Sequence, residues 1–159
     1  MDRRAYLEGI SALYSGEVWG EAFASRWLEH CTDTRQQHVL SMVLQMESEA
    51  KVRLRPLLAS LGLSLVEEQS QRVAGAAAVE PYLSLSWSDA MRAMAELARP
   101  YRHQYQALLD AAPPSDAPMV GYMVAHEQAL MDFARRVAEG DALADAELLP
   151  LLAHPLPND

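Results

Sequence analysis

The chain has 159 residues, half of them apolar, and a formal net charge of −9. That length fits one domain with room for a substantial core, and the acidity argues against nonspecific binding of nucleic acid or of an anionic membrane. A single cysteine, Cys31, excludes an internal disulfide framework and a cysteine-based zinc site.

Leu and Ala dominate, and long stretches lack both Gly and Pro, so the expected class is all-α within one domain spanning residues 1–159. The opening residues are followed by no apolar signal region, and no run approaches the roughly 20 apolar residues that span a bilayer. The expected location is the cytoplasm, with no membrane partner.

Four long helices are predicted, over residues 4–31, 34–61, 86–109 and 117–139. In the first, Leu7, Ile10, Tyr14, Glu17, Glu21, Ala24, Leu28 and Cys31 recur at alternating spacings of three and four, which marks one helix face. A second stripe through Tyr6, Ile10, Leu13, Glu17, Gly20, Ala24 and Trp27 also includes Glu17, so Glu17 faces inward more squarely than Glu21.

Thr32, Asp33 and Thr34 break this helix and supply N-caps for the next, with Gln37 as a capping-box partner of Thr34. The second helix buries Leu40, Val43, Glu47, Ala50, Leu54, Leu57 and Leu61, and Gly62 offers a left-handed C-cap. Lys51 sits at the edge of that face, while Glu49 points to solvent.

Residues 62–85 are read as a long crossover. About twenty-three residues easily travel the roughly 40 Å length of a 27-residue helix, which returns the chain to the end where the second helix began. Ser86 and Asp89 then form a capping pair for a third helix carrying Trp87, Met91, Met94, Ala98, Tyr101, Tyr105 and Leu108, with a kink or break expected at Pro100. A proline-rich turn around Pro113 and Pro114 leads into the fourth helix, whose stripe of Val120, Met123, Glu127, Leu130, Ala134 and Val137 is flanked by His126 and stops at Gly140. The tail, residues 141–159, has a short apolar run from Leu148 to Leu152 and is expected to cap one end of the helices.

Carboxylates are almost never placed on a buried face without something that offsets their charge, and three helices here place one mid-stripe. If the first turn is centred near Asp33, the residue level with Glu17 on the antiparallel neighbour falls within about two positions of Glu47. If the second is centred near Pro114, the residue level with Glu127 is close to Tyr101. Glu17, Glu47, Glu127 and Tyr101 are therefore expected to meet at mid-height.

Two helix pairs with short joints and one long crossover, with glutamates at these places, resemble the ferritin-like superfamily, which includes ferritins, rubrerythrins and di-iron carboxylate oxidases. The resemblance covers roughly residues 4 to 140. It implies a four-helix bundle with a metal pair in its core, held by a Glu from each of two helices and Glu-x-x-His from the other two. Glu17, Glu47 and Glu127 stand where such glutamates would be. The histidine positions are occupied by Ala50 and Leu130, and the third helix offers Tyr101 in place of a ligand.

The resemblance thus implies a degenerate site. In one reading Glu17, Glu47 and Glu127, helped by Glu21 or His126, bind iron or manganese and support redox chemistry with oxygen or peroxide, with Tyr101 or Tyr105 as a redox-active neighbour and Tyr101 as the candidate catalytic residue. In the other, Lys51 offsets the glutamates and the protein is a metal-free structural or small-ligand-binding bundle. Either form is expected to dimerise, through an exposed apolar face using Val18, Trp19 or Trp27.

Overall fold

Asp2 starts the first helix by accepting the Ala5 amide at 2.8 Å, and the apolar stripe behind it carries α1 over Arg3–Leu28. The computed structural model describes residues 1–155, which are all-helical, with no strand among them. α1 ends three residues earlier than its stripe suggests. Cys31 therefore lies in the turn, half-buried, where its carbonyl accepts from Gln37 Nε2 at 2.9 Å. Gln37 closes the turn in this way, and the cap of the next helix is Asp33, which accepts the Gln36 amide at 2.9 Å.

The second helix, α2, spans Thr34–Ser60 and ends at Gly62, whose φ of 70° is the left-handed conformation glycine adopts without strain. After a short helix α3 (Gln69–Ala77) and a 3₁₀ turn (Glu80–Ser84), α4 runs over Trp87–Ala111 and α5 over Ala117–Ala138. The expected break at Pro100 is absent, because α4 is continuous there, as α2 is at Pro56. Both prolines lie on the solvent face, where water can satisfy the carbonyl that a proline leaves without its donor.

α1 packs along α2 and α4 along α5, each pair joined by a short turn, and the pairs meet along the α2/α5 and α1/α4 seams. The connection from 62 to 85, expected as a crossover, carries a helix of its own. α3 lies against α1, and so closely that a Cβ on Gly75 would fall 2.2 Å from the Trp19 carbonyl oxygen. Beyond it Tyr82 meets the rings of Phe23 and Trp27, while Trp19 stacks on Phe23 at 5.2 Å. The face of α1 expected to serve a dimer is therefore covered within the chain: Val18 and Trp27 are buried and Trp19 is partly so.

The tail also differs from expectation. It runs as a strap down the α2/α5 side instead of capping an end, burying Ala144, Leu148 and Leu152. His38 meets Asp145 at 2.8 Å, and Glu49, expected to be solvated, accepts the backbone amides of Ala153 and His154. Those hydrogen bonds hold the Glu49 carboxyl below its usual range against the burial that would raise it. The last four residues of the expected cap, 156–159, lie outside the described residues. No helix among the described residues is long and apolar enough to cross a membrane.

The Gly75 contact yields the first prediction. Gly75→Ala should destabilise the fold by about 1–2 kcal/mol, since overpacking against backbone outweighs the gain from replacing a helical glycine. A lowered urea midpoint with faster proteolysis of the segment before α3 is the expected result, and an unchanged midpoint would contradict the close approach.

Candidate metal centre

The core is two apolar clusters with a polar layer between them. One holds Phe23, Met42, Met46, Met91, Ala98 and Phe133 and their neighbours; the other holds Leu13, Val18, Ala50, Leu54, Tyr105 and Met123 with theirs. On α1 the layer is Glu17, on α2 Glu47, on α5 the consecutive pair His126 and Glu127. All four are buried, His126 completely. Helical periodicity places each of them in line with apolar residues three or four positions away, so burying the stripe buries the polar group with it.

Glu17, Glu47 and His126 form the tightest group: one donor atom from each lies within 4.8 Å of the others. His126 Nε2 is 3.5 Å from Glu17 Oε2 and 3.7 Å from Glu47 Oε1. These separations are too long for good hydrogen bonds, and Glu17 Oε2, His126 Nδ1 and His126 Nε2 have no hydrogen-bond partner. Leaving such atoms dry and unpaired is costly, on the order of 1–3 kcal/mol each and more where charge is involved. Donors about 2.1 Å from one ion lie roughly 3.0–4.2 Å apart, which matches the measured spacing. This buried group could hold a metal ion.

Beside it is a cavity of about 50 Å³ lined by Glu17, Glu47, Glu127, Tyr101 and Tyr105. At ~10–15 Å³ for one water-sized occupant, it has room for an ion with a few small ligands. Two glycines of α1 create the space. A Cβ on Gly20 would lie 2.4 Å from Glu47 Oε2, and one on Gly16 would lie 2.9 Å from the Tyr105 hydroxyl.

The electrostatics follow from burial. Desolvation lifts the Glu17 carboxyl well above the ordinary range, with His126 opposing and Glu47 and Glu127 adding to the rise. Glu127 is raised to about 8, again chiefly by desolvation, with His126 opposing. For His126 burial disfavours the imidazolium, yet the fields of Glu17 and Glu47 outweigh it and bring the ring to about 10. Tyr105 is pushed well up by burial and then by Glu127, Glu17 and Glu47.

Of the residues expected at the site, Glu17, Glu47, Glu127 and Tyr101 do meet, and His126, expected beside Glu127, completes the tight trio. Glu21 does not join them. Its carboxylate accepts from Ser48 Oγ at 2.7 Å and pairs with Lys51 Nζ at 2.6 Å. Lys51, expected to offset the core glutamates, is held instead by Glu21 and, at 2.9 Å, by Glu67. Arg72 and Arg55 complete that network. The basic side chain beside Glu17 and Glu47 is His126. Tyr105, expected with Tyr101 as a neighbour of the site, lines the cavity as well. Sequence reasoning did not find the glycine clearances, although two glycines flanking Glu17 in a helix interior were a signal, since each costs about 1 kcal/mol relative to alanine.

No protein-family model, curated protein or solved structure matches this chain.

A pH dependence follows for the metal-free protein. A group whose folded pKa is raised contributes stability that is complete below its unfolded value and is lost as pH rises through the folded value. For Glu127 that window runs from 4.5 to about 8, and for His126 from 6.5 to about 10. The metal-free Tm should therefore fall between pH 5 and 9, by several degrees if the combined loss exceeds about 1 kcal/mol. Glu127→Gln should flatten the lower half of the slope; a Tm that rises across this range would contradict the assignment.

Proposed function

We propose that this chain is a ferritin-like protein whose four long helices form a bundle around a metal centre, with Glu17, Glu47 and His126 as the principal ligands. Glu127 reaches the same cavity from α5 and serves as a further carboxylate for the ion or for a water bound to it. The observation that carries the reading is the set of three buried atoms, Glu17 Oε2, His126 Nδ1 and His126 Nε2, that have no partner. A cation aimed at by Glu17 Oε2 and His126 Nε2 satisfies two of them and neutralises the carboxylates.

Mixed carboxylate and imidazole donors suit iron or manganese. Such an ion would supply redox chemistry with dioxygen or peroxide. The chain's own residues provide the setting: the two apolar clusters flank the polar layer, and Gly16 and Gly20 keep the space open. Glu127 holds a proton near neutral pH that it can release as positive charge arrives. Lys51 cannot substitute for the ion while Glu21 and Glu67 hold it. Support for the bundle topology is the pairing of α1 with α2 and α4 with α5, with the α3 segment between the pairs.

Elemental analysis after purification and equilibration with ferrous or manganous salt tests the reading. Wild type should retain iron or manganese in stoichiometric amount and gain thermal stability, by about 2.7 kcal/mol at a hundredfold excess of ion over Kd. Glu47→Ala and His126→Ala should lose both the metal and the gain, whereas Glu21→Gln should keep them. Wild type that retains no metal and shows no stabilisation would end the proposal.

A further inference from the structure

On the basis of this metal-centre reading, we propose that Tyr105 is an additional ligand, its phenolate oxygen binding ferric iron at the centre formed by Glu17, Glu47 and His126. Tyr105 is 3 % exposed and lines the cavity. Its hydroxyl is directed at α1, where residue 16 is a glycine and a Cβ would stand only 2.9 Å from the oxygen. The chain thus gives up a side chain at the position next to Glu17 and admits a phenol there.

The same cavity receives Glu17, Glu47, Glu127 and Tyr105. α4 contributes no carboxylate or histidine to the layer, so Tyr105 is the buried oxygen donor this helix offers. Tyr101 lines the cavity too but is half-buried and nearer the surface. Phenolate is a hard, anionic oxygen donor, suited to a trivalent ion. Binding is ligand exchange without electron transfer: the O–H bond breaks, the proton leaves to solvent, and the iron–oxygen bond replaces one to the chelate that delivered the metal.

Ferric nitrilotriacetate added to the metal-free protein, followed by removal of unbound iron, provides the test. Wild type should develop the visible phenolate-to-iron charge-transfer absorption, with tyrosinate ring modes in resonance Raman excited within it. Tyr105→Phe should retain iron and lose the absorption completely, while Tyr101→Phe should keep it. Gly16→Ala, which pushes on the hydroxyl without removing it, should weaken the absorption at least severalfold while retaining iron. Iron retained by wild type without that absorption, or an absorption that survives Tyr105→Phe, would overturn the assignment of Tyr105 and leave the metal centre standing. Failure of wild type to retain iron, manganese or any other added divalent ion would overturn both.

Discussion

The structure depends on one unresolved electrostatic demand, the burial of two carboxylates beside an imidazole that lies too far from either for a good hydrogen bond. Glu17 and Glu47 face His126 at 3.5 and 3.7 Å. Desolvation drives Glu17 and Glu127 toward their neutral forms, and only the opposite tendency of His126 to stay charged beside carboxylates moderates the cost. Replacing buried charges by apolar side chains is commonly neutral or stabilising, so packing alone does not account for a layer that three of the four long helices cross with an ionisable residue. The layer also sets register. Sliding any helix by one turn would place Glu17, Glu47 or the His126–Glu127 pair inside an apolar cluster.

A second polar network shows what a compensated site in the same fold looks like. Lys51 is nearly as buried as Glu47, yet its ammonium has Glu21 at 2.6 Å and Glu67 at 2.9 Å, and Arg72 and Arg55 supply further positive charge. Burial by itself would raise Glu67, but Lys51 and Arg72 bring it down to about 2. Here short distances, bridging partners and partial solvent access satisfy the donors and acceptors, and the network ties α1, α2 and the start of the α3 segment together. Glu17 and Glu21 are one turn apart on the same helix. The contrast between them isolates the unusual property of the mid-core group, which is the absence of partners and not the presence of charge.

Much of this geometry was legible because antiparallel helices joined by a short turn can be aligned by counting outward from the turn. That count put Glu17 near Glu47 and Glu127 near Tyr101, and all four line one cavity. The partner of Lys51 was not legible, since Glu67 lies in a connection whose path no local pattern specifies. α3 was missed because it is only nine residues long with Gly75 inside it, too short to stand alone, and its helix is stabilised by packing on α1. The strap was mistaken for an end cap because its anchors, Glu49 and His38, are about a hundred residues away in sequence.

The position of the histidine explains why the site is asymmetric. A histidine three residues after Glu127 would share its helix face and reach the same side of the cavity, but that position is Leu130. His126 precedes Glu127 by one residue, a rotation of about 100° around the helix, so the two side chains diverge. The ring turns toward Glu17 and Glu47, whereas the Glu127 carboxylate enters the cavity outside the 4.8 Å group. Three donors therefore converge, while Glu127, Tyr101 and Tyr105 line the neighbouring cavity. The second helix offers no matching imidazole, because the position three residues after Glu47 is Ala50, buried in the apolar cluster with Val18 and Leu54.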